Sequence, residues 1–206
     1  MSEITQEAGW YFDAYFKDRG FLHAFHKRRI DRICSLVPAN KDILDCGCGS
    51  GIIVYLLSKK AKSVSGVDIR KGCIDFCNKK IEGNFKQVDL KNFDLTEKFD
   101  VVICSDVIEH FYPEDREKVL RNLDRHVKEG GMLIFTFPSR LYLILEPLWF
   151  KIRRLLNPKG KFDDEDVHLA VTVNNIEMEN YKVVKKGFIC LGLIFYVVLA
   201  NEKGCF

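Results

Sequence analysis

At 206 residues, with 47% apolar and 30% charged side chains, the chain is long enough to bury a sizeable core, and one domain over 1–206 is expected. A formal charge of +3 is too small to argue for a nucleic-acid partner. The eight cysteines form no CxxC pair, and Met1 to Glu7 is polar with no apolar stretch, so no secretory signal is visible and a reducing, cytoplasmic setting is expected.

Residues 1–40 read as a helical cap. Trp10, Tyr11, Tyr15 and Phe16, then Phe21, Leu22, Phe25, Ile30, Ile33 and Leu36, recur at helical spacings, with Gly20 between two helices and Pro38-Ala39-Asn40 ending the second. His23, His26, Lys27, Arg28, Arg29 and Arg32 make the second helix basic. Such a cluster serves either as a solvated face or, through one arginine, as a clamp for a carboxylate in a neighbouring site.

From Asp42 onward strands and helices alternate. The expected strands are Ile43–Gly47, Lys62–Asp68, Phe85–Asp89, Phe99–Cys104 and Met132–Phe137, and the expected helices Ser50–Lys60, Gly72–Lys80 and Pro113–Val127. This alternation predicts an α/β fold, a doubly wound parallel sheet with ligands at the carboxyl ends of its strands.

Between the first strand and its helix lies Asp45-Cys46-Gly47-Cys48-Gly49-Ser50-Gly51. Glycines at alternate positions suit a turn that needs positive φ, or a backbone against which a ligand lies with no Cβ between. Asp45, Asp68 and Asp89 close three successive expected strands, and Asp68 stands 17 residues after Gly51, where an acid can accept hydrogen bonds from ribose hydroxyls. Each aspartate taken singly could merely cap a helix. A GxGxxG dinucleotide fingerprint fails because Ile52 occupies its last position, and an acid at Asp45 would repel a pyrophosphate. The phosphate-loop Lys-Ser/Thr pair is missing too. A nucleoside that carries a cationic group fits better.

These residues, with Asp100-Val101-Val102-Ile103-Cys104-Ser105-Asp106-Val107-Ile108-Glu109-His110-Phe111 and Val127-Lys128-Glu129-Gly130-Gly131-Met132-Leu133, resemble the class I S-adenosylmethionine-dependent methyltransferases over roughly residues 40–140. The resemblance implies a Rossmann-like seven-stranded sheet with an antiparallel last strand, for which Tyr181–Lys186 and Ile194–Ala200 are available. It implies S-adenosylmethionine as cofactor and S-adenosylhomocysteine as product. Gly47, Cys48, Gly49 and Gly51 would cradle the methionine part beside Asp45. Asp68 and Ile69 would hold the ribose, Asp89 and Leu90 the adenine, and Cys104 and Ser105 would lie near the amino-acid end. Leu22-His23 with Arg29 and Ile33, and Asp106 to His110, resemble the ubiquinone-biosynthesis O-methyltransferases; Arg29 would then meet the cofactor carboxylate. Asn157-Pro158-Lys159-Gly160 followed by His168 is a weaker echo of the same group.

The stretch 139–170 reads as a lid inserted after the fifth strand. On a helical wheel Leu141, Ile144, Leu145, Leu148, Trp149, Ile152, Leu155 and Leu156 share one face and Glu146, Lys151, Arg153 and Arg154 the other. Pro147 argues against one unbroken helix. Two readings stand: a lid packed on the protein's own core, or residues 140–157 at a membrane surface or over an apolar substrate. The run is too short and too charged to span a bilayer.

The expected reaction is methyl transfer to a small acceptor, with O-methylation of an apolar, lipid-like quinone or phenol favoured. An oxygen nucleophile must lose a proton, for which His110 is the first candidate base, with Glu109 in the same loop and His168 second. His110 could instead pack or cap in the following helix, and no metal is demanded by the spacing. The alternatives are another acceptor class (sugar, small acid or protein), a binding module without turnover, and, at the margin, an NAD-dependent enzyme.

Overall fold

The computed structural model describes Gly9, Phe12, Asp13, Tyr15, Phe16, residues 21–156 and residues 168–203. Trp10, Tyr11, Asn157-Pro158-Lys159-Gly160 and Cys205 lie outside the described residues, as do the side chains of Trp149, Ile152, Leu155 and Leu156.

The basic helix α1 (Phe21–Leu36) precedes an alternation of β1 (Asp42–Cys46), α2 (Ile52–Ser58), β2 (Ser63–Asp68), α3 (Lys71–Lys80), β3 (Asn84–Gln87) and β4 (Phe99–Ser105). A 3-10 turn (Ile108–His110), α4 (Pro113–Arg125) and β5 (Val127–Pro138) follow. Then come α5 (Arg140–Leu156), a second 3-10 turn (Val173–Ile176), β6 (Tyr181–Ile189) and β7 (Ile194–Asn201). The seven strands form one sheet in the order β3-β2-β1-β4-β5-β7-β6. The pairs from β3 through β5 are parallel, whereas β7 runs antiparallel to both β5 and β6.

Because consecutive strand side chains point to opposite faces, the apolar runs supply two cores at once. Leu44, Val102, Cys104, Leu133 and Phe135 pack on Val119 and Leu123 of α4. Ile43, Val101, Ile103 and Ile134 pack on Ile33 of α1, Val54 and Leu57 of α2 and Cys77 of α3. The cysteines among the described residues are reduced, and Cys46, Cys48, Cys73, Cys77 and Cys104 are buried.

Several expected boundaries move. Asp45 is inside β1 rather than at its end, and Asp89 lies two residues beyond β3. The ladder stops at Gln87 because the chain turns there: Val88 N–H still donates to Asp68 O, but Asp89 Oδ1 accepts Lys91 N–H at 2.9 Å. Val127 opens β5 instead of closing α4, paired with Phe99 before a bulge that brings Val101 opposite Met132. The helix α5 runs unbroken through Pro147. Proline removes one backbone donor, the one that would reach the Leu143 carbonyl, and the exposed ring tolerates that loss.

Candidate functional site

The glycine turn is built from backbone. Gly47 and Cys48 N–H groups both donate to Val67 O, and Gly49 N–H donates to Asp68 Oδ2 at 2.8 Å. Gly47, Gly49 and Gly51 have φ of 80°, 53° and 73°, where a Cβ is strained. The three differ in surroundings. A Cβ on Gly47 would sit 2.3 Å from Val107 Cγ2, and one on Gly51 2.5 Å from Ile81 Cδ1. On Gly49 only the flexible end of Arg70 comes within 4 Å, at 3.4 Å, so Gly49 presents an open cradle to a ligand. Asp68 Oδ1 accepts the backbone N–H of Arg70 and its Nε, which ties the acid to the turn.

Two buried side-chain atoms near this turn lack partners. Asp45 is 2% exposed and its Oδ2 has no hydrogen bond; burial and the neighbouring Asp68 push its carboxyl up to about 7. Arg29, reaching over from α1, pairs through Nη1 with Asp106, while its buried Nε has no partner. Asp106 follows β4 with a positive φ of 53°; its Oδ1 accepts Thr136 Oγ1–H, and Thr136 also bonds Ser105 Oγ. A buried carboxylate oxygen and a buried guanidinium N–H left without partners are costly unless a ligand completes them, and together they suit an amino-acid end carrying both charges. These residues fit a bound S-adenosylmethionine.

The remaining sequence-predicted cofactor residues are less uniform. Ile69 is exposed at 62%, a flat apolar surface directly after Asp68. Leu90 and Cys48 are buried, and Cys104 is buried in the core, where desolvation raises its thiol well above the ordinary value. Asp89 Oδ1 accepts the backbone N–H of Lys91, a local turn bond rather than a helix cap, since no helix follows it.

Across the sheet edge the fold assembles a second cluster. Glu109, His110 and His168 each bring a ligand-type atom within 4.8 Å of the others. Glu109 is 1% exposed with both carboxylate oxygens unpartnered, and burial together with Asp106 drives its carboxyl well above the usual range. The segment bearing His168 is latched in place: Leu169 N–H donates to Glu109 O at 3.0 Å, and Arg116 Nη1 donates to Ala170 O at 3.2 Å. The His110 and His168 rings lie 5.1 Å apart. Such a donor set can pass a proton or hold a cation, a convergence that spacing along the chain did not demand.

Three members of this site escape a sequence reading. Glu146 Oε1 lies 2.6 Å from His168 Nδ1, Tyr142 stands edge-on to the same ring at 6.1 Å, and Arg116 is buried beside Glu109. Tyr142 and Glu146 are four residues apart on α5, so one polar stripe of that helix faces the site. The described residues of its apolar stripe face out: Leu141, Ile144, Leu145 and Leu148 are 45%, 71%, 42% and 57% exposed. Of the two readings of this stretch, packing on the protein's own core does not describe these four exposed residues; Tyr142 and Glu146 are the ones that meet the site.

Beside the cluster lies a cavity of about 450 Å³ lined by Phe137, Ser139, Leu141, Val171, Phe188 and Phe195. A larger one, about 670 Å³, is lined by Asp42, Lys62, Ser63, Glu82 and Lys98, among others, at the opposite, amino-terminal ends of the strands.

A sequence profile described as a methyltransferase domain matches residues 44–135. The ubiquinone biosynthesis O-methyltransferase of Rickettsia typhi is 26% identical over 192 residues, covering 84% of this chain and 76% of the relative. That of Coxiella burnetii is 29% identical over 154 residues, 69% of this chain and 64% of the relative. Among solved structures, the N-methyltransferase NodS of Bradyrhizobium japonicum bound to S-adenosylhomocysteine superposes with a TM-score of 0.68 at 15% identity, covering 98% of this chain and 100% of that one. Magnesium protoporphyrin IX methyltransferase of Synechocystis gives 0.68 at 19% identity, covering 95% and 94%. At such identities the structural likeness is one of fold.

Proposed function

We propose that this chain, a class I S-adenosylmethionine-dependent methyltransferase by its sequence relatives and its fold, methylates an oxygen of a small, apolar acceptor of the phenol or quinol type. The observation that carries this reading is a juxtaposition. His168, in the titratable cluster, and Val171, in the wall of the apolar cavity, belong to one short segment at the carboxyl edge of the sheet. A polar reacting end and an apolar body would be served by adjoining walls.

S-Adenosylmethionine, when bound, supplies a methyl group already activated on a sulfonium, so the protein's work is alignment and exclusion of water. Asp45 would balance the ligand's cationic end and Arg29 Nε its carboxylate. The backbone at Gly47, Cys48, Gly49 and Gly51 would lie against the methionine part, with Ser105 near it. Asp68 would receive the ribose hydroxyls, and Ile69 with Leu90 and Asp89 would flank the adenine. The hydroxyl proton of the acceptor would pass to a histidine of the Glu109–His110–His168 cluster. Buried Glu109 favours its protonated form and would leave the histidines as the bases.

The exposed apolar stripe of α5, flanked by exposed Arg140 and Lys151, has the make-up of a surface that rests on an anionic bilayer, from which a lipid-like acceptor would be drawn. Among the described residues no helix is long and apolar enough to cross a membrane.

Incubating the protein with methyl-labelled S-adenosylmethionine and a panel of alkyl catechols, sugars, small acids and proteins tests the acceptor class. Label in the alkyl catechol is expected; label confined to a sugar, acid or protein overturns the acceptor, and label in none of them leaves a binding module.

A further inference from the structure

Glu146 has no place in the cofactor site and sits among the apolar residues of α5, yet it touches a candidate base. We propose that Glu146 is a positioning residue: it fixes the tautomer of His168 and so selects His168, rather than His110, as the group that takes the acceptor's proton. This rests on the proposal that an oxygen is methylated.

The geometry runs through one hydrogen bond. Glu146 Oε1 and His168 Nδ1 are 2.6 Å apart, and the side chains are only 15% and 18% exposed. An ionised carboxylate can only accept, so the proton on the ring is held at Nδ1 and the lone pair at Nε2 is left for the site. A charge-assisted bond of that length, shielded from solvent, also stabilises the imidazolium that forms when Nε2 accepts a proton. The ring cannot easily turn away. Tyr142 stands against it, Leu169 is tied to Glu109 O, and Ala170 O is held by Arg116. His110, by contrast, is on the exposed side of its 3-10 turn.

The proton balance is simple. As the acceptor oxygen uses a lone pair to bond the methyl carbon, the carbon–sulfur bond breaks with its electrons left on sulfur, and the hydroxyl proton moves to His168 Nε2. Solvent later removes that proton. Because Glu146 lies on α5, the base is complete only when that helix is seated, so docking of the helix and readiness of the base are one event. Pro147, the next residue, weakens the backbone ladder at that point.

Nitrogen-15 NMR of the histidine rings in the protein without substrate reads the tautomer directly. His168 is expected as the Nδ1–H form in the wild type, as a mixture in Glu146→Gln, and largely restored in Glu146→Asp. Wild-type tautomer retained in Glu146→Gln overturns the proposal. In parallel, turnover of an alkyl catechol is expected to lose between about 10- and 1,000-fold in kcat in Glu146→Gln, with KM for S-adenosylmethionine unchanged and Glu146→Asp partly rescued. A loss confined to KM likewise overturns it. The NMR readout needs no acceptor, so a failure to methylate catechols at all would strike the acceptor assignment and leave the tautomer result standing.

Discussion

The two sides of the sheet edge are made in different ways. On the proposed cofactor side the parts are mostly backbone, three glycines at positive φ with amides donating to Val67 O and to the Asp68 carboxylate, joined by one further carboxylate inside β1. On the proposed acceptor side the parts are side chains from three separate stretches, Glu109 and His110 after β4, Glu146 on α5 and His168 beyond it, joined by single hydrogen bonds. A site of the first kind is rigid and intolerant of added atoms. One of the second kind tolerates substitution of its parts but loses function when any of the stretches shifts.

That contrast is sharpest at the glycines. Gly47→Ala adds a Cβ at 2.3 Å from Val107 Cγ2 on top of a strained φ, and about 2–4 kcal/mol of stability should be lost in urea titration. Gly49→Ala meets little protein, so about 1 kcal/mol is expected. Its affinity for S-adenosylhomocysteine by calorimetry should nevertheless fall at least tenfold. Equal stability losses at both positions would erase the distinction between a packed and a ligand-facing glycine.

The next effect is electrostatic. Asp45 holds its proton up to about pH 7 in the folded chain, against about 3.9 when unfolded. Between those values the native state binds more protons than the unfolded one, so stability falls as pH rises from about 4 to about 7 and is flat beyond. Asp45→Asn should flatten that window in pH-dependent melts and leave the ligand-free variant more stable than the wild type at pH 8. A cationic ligand favours ionised Asp45, so wild-type affinity for S-adenosylmethionine should tighten through the same window with release of a proton. An affinity with no pH dependence would remove Asp45 from the site.

The smallest effect on the fold belongs to the outer face of α5. Ile144→Asp with Leu148→Asp should change stability by no more than about 0.5 kcal/mol, since both side chains already face solvent. The pair should abolish flotation with anionic liposomes. Unchanged flotation, or none in the wild type, counts against a membrane-facing surface.

The uneven legibility of the two sides follows from the same difference. The glycine turn and the acid that ends β2 are local: alternate glycines and a spacing of 17 residues carry their meaning wherever the chain goes. The alternation of apolar runs likewise suffices for the parallel part of the sheet. Asp89 misled because a strand end is set by where the ladder stops, and its own side-chain bond to Lys91 helps stop it. Glu146 was unreadable for another reason. A helical wheel separates polar from apolar residues but does not say which stripe meets the protein, and here that choice is made by His168, 22 residues further along.

A thermal-shift titration tests the cofactor assignment most directly. S-Adenosylhomocysteine should raise the melting temperature of the wild type in a saturable way, NAD should leave it unmoved, and Gly49→Ala should lose the response while keeping a cooperative melt. Stabilisation by NAD alone would contradict the account from Asp45 onward.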